Sequence, residues 1–130
     1  MSAFADAADG TLTSIGASPY PDLQAAPCWV EISHDGRYLF AVNTASASLS
    51  RSEIADDGSL TLLGSTTFAT TARVGATDAR LGVDGGTLYV LDSAAPALAV
   101  FSVDGGDLTE LSGLAAALPS GAALSGIAVL

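Results

Sequence analysis

Ile32-Ser-His-Asp-Gly-Arg-Tyr-Leu-Phe-Ala-Val-Asn43 returns along the chain as Leu81-Gly-Val-Asp-Gly-Gly-Thr-Leu-Tyr-Val-Leu-Asp92. Ile32 and Leu81 are offset by 49 residues, and the offset holds from Cys28/Thr77 through Leu49/Leu98. One deleted residue lowers it to 48, aligning Leu60-Thr61 with Leu108-Thr109, and a further 48 back Leu12-Thr13 occupies the same slot. Self-similarity at a period of roughly 40 to 50 residues, built from short apolar runs and Asp-Gly turns, predicts a stack of small sheets. One four-stranded sheet cannot bury both of its faces, so each needs neighbours. The expected fold class is all-β: part of a β-propeller made of four-stranded antiparallel blades.

Each repeat reads in the same order. A first strand (29–33, 78–83) leads through Asp35-Gly36 or Asp84-Gly85 into a second (37–43, 87–92). Asp-Gly between β-rich runs predicts a type I′ hairpin turn, which needs positive φ at two positions. A third strand (47–55, 96–103) turns at Asp56-Asp57-Gly58 or Asp104-Gly105-Gly106 into a fourth (60–66, 108–112). Gly- and Ala-rich connectors (69–76, 113–123) follow, and no segment has helical periodicity or a capping box. The chain thus divides into the last two strands of a blade (1–27), two whole blades (28–75 and 77–121) and a first strand of a further blade (122–130), about eleven strands in all. A closed four-bladed disc needs about 190 residues at this period, so 130 residues read as the C-terminal part of a larger propeller.

The bulk charge narrows the partners. Fourteen acidic residues stand against four arginines and no lysine, a net charge of −10. Nucleic acid and anionic membranes are bound through Lys and Arg, so neither is expected as a partner. Mean hydropathy is high at +0.47, but apolar runs such as Ala97–Phe101 are about five residues long, against roughly 20 for a helical span. The apolar residues are expected in strands buried on both faces. The N-terminal residues carry no basic or apolar leader pattern, which makes the cytoplasm the default location. A single cysteine allows no internal disulfide. Two incomplete blades leave apolar faces and open edges, so self-association or pairing with further blades is expected.

The run Pro27-x-x-x-x-Ile32-Ser-x-Asp35-Gly36-Arg37-Tyr38-x-Phe40-x-Val42-Asn43, followed by Asp57-Gly58-Ser59-Leu60-Thr61, resembles the lactonase family of seven-bladed propellers. That family includes 6-phosphogluconolactonase and the carboxymuconate-lactonising enzyme. The resemblance implies seven blades in a complete protein and action on lactone rings, with no cofactor. It also implies an Arg after the Pro that opens a blade and a Glu after Val-Asn. Here those slots hold Cys28 and Thr44, and Thr77 and Ser93 one blade later. The implied function is therefore sugar-lactone hydrolysis or binding by the whole propeller, with catalysis impaired in this chain. The alternative is a non-catalytic propeller that binds a small molecule or a protein.

Strand order places any site. Antiparallel strands put both sets of Asp-Gly turns on one rim, and the blade entries with the second-to-third strand loops on the other. The second rim borders the central channel lined by first strands, so the ligand-binding candidates are Trp29, Asn43, Thr44, Asp78, Arg80 and Asp92. Arg80 is the cation suited to a developing oxyanion, and Glu31, Asp78 and Asp92 are the carboxylates that could act as base. Arg80, Glu31 and Asp78 are thus the candidate catalytic groups. Glu31 and Arg80 share a register on neighbouring first strands, which equally predicts an inter-blade ion pair. Cys28 and His34, the only cysteine and histidine, lie six residues apart at opposite ends of one strand, roughly 20 Å at 3.3 Å per residue. That separation excludes a nucleophilic dyad and leaves Cys28 as a small buried filler and His34 as a solvated turn residue. The Asp-rich turns offer two or three oxygens against the six to eight that calcium prefers, so no metal site is expected.

Overall fold

The computed structural model describes residues 1–69, 75–120 and 124–130. Those residues form an all-β chain with one 3-10 turn, Ser112–Leu114, and no α-helix. β1 (Phe4–Asp6) and β2 (Leu12–Ser14) make an N-terminal hairpin. β3 (Pro27–Ile32), β4 (Tyr38–Asn43), β5 (Ser48–Ile54) and β6 (Leu60–Thr67) pair antiparallel in that order as the first blade. β7 (Ala76–Leu81), β8 (Thr87–Asp92), β9 (Ala97–Asp104) and β10 (Asp107–Glu110) repeat the order as the second. β11 (Ala116–Ala117) pairs with Ala97 and Leu98 at the start of β9. The second blade's outer strand is therefore in two pieces, β10 and β11, with the 3-10 turn between them.

The blades pack through one apolar joint. Phe40, Val42 and Leu49 of the first blade meet Ala79, Leu81, Leu88, Val90, Ala99 and Phe101 of the second, and Phe68 packs at a tilt against Phe101 with ring centroids 5.6 Å apart. Alternation along β4 sends Phe40 and Val42 into this joint and Leu39 and Ala41 to the opposite face, where all four are buried. Arg51 bridges the same joint to Asp107. The central strands β4 and β8 are buried on both faces as expected, but β3 is not: Val30 and Ile32 stand about half exposed. No blade covers that face of β3 among the described residues.

The turns correct one expectation. At Asp35-Gly36 the Gly36 amide donates to Ser33 O at 2.8 Å, and only the glycine has positive φ (74°). Gly10, Gly58 and Gly85 close on Ala7, Ala55 and Gly82 in the same way. These are type I turns completed by a left-handed glycine rather than type I′ turns, because the loops hold three residues at Gly10 and Gly58 and four at Gly36 and Gly85 instead of two. Asp104-Gly105-Gly106-Asp107 alone has two consecutive positive φ values, 53° and 91°, and a two-residue connection between paired Asp104 and Asp107.

Both inner strands begin two residues earlier than expected, across register shifts at Pro27/Trp29 and Ala76/Asp78. The connector at 69–76 falls mostly outside the described residues. The expected first strand at 122–130 carries no ladder over its described part, 124–130. The segment is held against the second blade. The Ile127 amide donates to Asp78 Oδ2 at 2.8 Å, 49 residues away. Leu124–Ala128 border Leu91 and Leu98, and Val129 and Leu130 border Val83 and Tyr89.

Candidate ligand-binding rim

The ends of β3, β4, β7 and β8 meet on the expected rim. Cys28 Sγ lies 2.7 Å from Thr44 Oγ1, and that hydroxyl donates to Ala76 O at 2.8 Å. Cys28 Sγ also faces the carbonyls of Ala76 and Thr77 at 3.7 and 3.6 Å. The two residues that stand in the lactonising Arg and Glu slots are thus occupied in tying the first blade to the entry of the second. Cys28 is exposed, so it is a rim residue and not the buried filler its type suggests. Ser93, in the same slot one blade later, bonds within its own blade instead, its hydroxyl donating to Gly75 O at 3.1 Å.

Between the inner strands β3 and β7, Arg80 Nη1 lies 3.5 Å from Glu31 Oε1. The pair is asymmetric: the Arg80 side chain is 56% exposed and that of Glu31 12%. Glu31 Oε1 also accepts from the Leu81 amide at 3.2 Å. The carboxylate is committed to structure, while the guanidinium has open donors. Trp29, on the same strand as Glu31, is 46% exposed. An exposed flat ring and an exposed cation are the groups that can take a polar ring with electron-rich oxygens.

The other candidates point inward. Asn43 is fully buried; assigned from its network, its amide nitrogen donates to Asp22 Oδ2 at 2.9 Å and its oxygen accepts from Ser50 Oγ at 2.8 Å. Asp92 is buried and its Oδ1 receives the amides of Ala94 and Ala95, both at 2.9 Å, shaping the loop after β8. Asp78 is buried and holds the tail through Ile127. Asp78 Oδ1 and Asp92 Oδ2 have no hydrogen-bond partner among the described residues. These three side chains are buried within the blades and are not presented at the surface.

Two features escaped the sequence. Asp22, Asn43, Ser48, Ser50 and Ser52 form a buried polar face on the first blade, and Ser48 Oγ lies 3.1 Å from Gln24 Oε1. The alternation Ser48-x-Ser50-x-Ser52 was its visible signal. On the opposite rim, a cleft of about 230 Å3 opens between the blades, bounded by His34, Asp35, Tyr38, Asp84 and Gly106. His34 packs beside Gly85 there, far along the strand from Cys28, and the described residues hold no group of three or more metal-ligating side chains.

No protein-family model and no curated protein sequence matches the chain. Solved structures do. A Lactobacillus plantarum protein superposes with a TM-score of 0.75 at 24% identity, over 89% of this chain and 35% of its own. A candidate 6-phosphogluconolactonase from Bacteroides uniformis gives 0.72 at 19% identity, over 92% and 37%. The periplasmic gluconolactonase of Pseudomonas aeruginosa gives 0.62 at 21% identity, over 83% and 39%. The chain spans little more than a third of the length of these structures. What it shares with them is the fold, that of lactonase-like propeller blades.

Proposed function

We propose that this chain is part of a lactonase-like propeller and contributes a ligand-binding rim for a sugar lactone or a similar ring, with hydrolysis belonging to a disc completed by further blades. The observation that carries this reading is the asymmetry of Arg80 and Glu31: the cation is exposed while the carboxylate nearest it is tied down, and Trp29 stands half exposed on the same strand as Glu31. Arg80 anchors the ring oxygens or a phosphate and Trp29 supplies a stacking wall. Ring opening by water also needs a base within hydrogen-bond reach of that water. Glu31 is held by Arg80 and Leu81, Asp78 and Asp92 are buried, and Thr44 stands in the Glu slot. The chain alone therefore binds and does not turn over.

Trp29 is the only tryptophan, so its emission reads the site directly. Titration with 6-phosphogluconolactone or gluconolactone is expected to change that emission, and Arg80→Ala to abolish the response, while acid release stays at the spontaneous rate. A flat Trp29 signal sinks the binding assignment. Robust hydrolysis by the purified chain, lost in Arg80→Ala, keeps the rim but overturns the division between binding and turnover. No helix is long and apolar enough to cross a membrane among the described residues.

A further inference from the structure

Resting on the reading of Arg80 as the ring anchor, we propose that Glu31 sets the specificity of that anchor. Its carboxylate holds the guanidinium in place and makes it favour an uncharged ring over a phosphorylated one. Glu31 and Arg80 belong to the two complete blades, on β3 and β7, at equivalent positions 49 residues apart.

An open strand edge fixes the carboxylate. The amide of Gly82, the residue after β7, donates to Thr87 O on β8 at 2.7 Å. Amides alternate in direction along an antiparallel strand, so the Leu81 amide points away from β8 toward the inner edge of its own blade. Glu31 Oε1 takes that amide across the joint between the blades, at 3.2 Å. A strand-edge donor left unpaired beside a packed joint is costly, and this bond therefore pins Glu31 against β7.

Arg80 leans on the same oxygen, its Nη1 3.5 Å from Glu31 Oε1. Among the described residues Glu31 is the one carboxylate paired with it. The other N–H donors of the guanidinium fork stay open to a ligand. A ligand oxygen at hydrogen-bond distance from those nitrogens lies roughly 6–8 Å from Glu31 Oε1. A hydroxyl or carbonyl oxygen there is held by the cation with little opposition. A phosphate carries about −1.5 to −2 charges and is repelled by the carboxylate as it is drawn to the guanidinium. In the dielectric of a partly exposed site that repulsion is worth about fivefold in affinity per charge, and about tenfold for a phosphate once salt screens it. The Glu31 charge thus cancels much of what Arg80 offers a phosphorylated ring, while its oxygen keeps Arg80 in place for an uncharged one.

Glu31→Gln separates the charge from the contact, because the amide oxygen still accepts from Leu81 and Arg80. Calorimetric titration of the full chain with gluconolactone and with 6-phosphogluconolactone, in about 20 mM salt, reads both rings. In Glu31→Gln the phosphorylated ring is expected to bind about tenfold tighter, and gluconolactone within about twofold of the parent chain. The gain is expected to shrink in about 0.5 M NaCl. Glu31→Ala removes the contact together with the charge and is expected to weaken both rings. Glu53→Gln, which takes the same charge from an exposed position on β5, is expected to change neither. A parallel change of both rings in Glu31→Gln, or an equal gain in Glu53→Gln, overturns the selectivity and leaves Arg80 as the anchor. Glu31→Ala binding like Glu31→Gln overturns the holding role. Binding of neither ring by any of these chains removes the rim reading itself, and the selectivity with it.

Discussion

Asn43 is a polar side chain with no exposed surface, and it survives there because both ends of its amide have hydrogen-bond partners. Its amide spans Asp22 and the Ser48–Ser50 pair, satisfying the buried carboxylate as well as itself. Asn43→Asp keeps the shape but sets a second carboxylate against Asp22 Oδ2. Two like charges in a buried site cannot both ionise without a large cost, so the variant is expected to lose about 3 kcal/mol at pH 7. The introduced carboxyl has its folded pKa raised. Its penalty is present above that pKa and disappears as pH falls below the unfolded carboxylate value, about 4. Urea midpoints for parent and variant should therefore converge toward acid pH. A constant gap from pH 7 to 4 would assign the loss to packing instead.

At the scale of elements, the repeated turn has the opposite pH signature. The Ser33 hydroxyl, then the Arg37 amide, lowers the Asp35 pKa; the Ser59 hydroxyl and amide lower that of Asp57, and the Thr11 amide that of Asp9. A depressed folded pKa stabilises above the unfolded value and is lost as pH falls through the folded one. The turns should therefore weaken below about pH 4, with Ser33→Ala shallowing the acid limb of the urea midpoint. An unaltered limb in Ser33→Ala would remove Asp35 from that account. Most of this layer was legible, because Asp-Gly at a fixed offset and period-2 apolar runs are local signals. The turn class was not: which residue takes positive φ depends on loop length, and Asp35 keeps a negative φ that the dipeptide does not reveal. The split of β10 and β11 and the unpaired tail depend on neighbours, which no local pattern encodes. Of the site, the Glu31–Arg80 pair could be read from the shared register. The inward turn of Asn43, Asp78 and Asp92 could not, since the same side chains serve a rim or a blade interior equally well.

The two blades share one apolar cluster, which runs from Phe40 and Leu49 through Leu88, Val90 and Phe101, and this predicts that they unfold as one unit rather than as two beads. In repeat architectures the stability of a unit is carried largely by its interface with the next. Leu88, with no exposed surface in the second blade, should cost about 2–5 kcal/mol when cut to Ala, a large part of the 5–15 kcal/mol that a small domain holds. Trp29 lies on β3 of the first blade, and its fluorescence reports that blade alone, whereas far-ultraviolet circular dichroism reports both. If the joint couples them, Leu88→Ala lowers the urea midpoint equally by the two probes, and the two curves superpose before and after the substitution. A Trp29 transition that stays in place while the circular dichroism midpoint drops would show that the first blade holds its structure unaided. Both blades would then be separable modules, and the apolar joint would matter for docking rather than for folding.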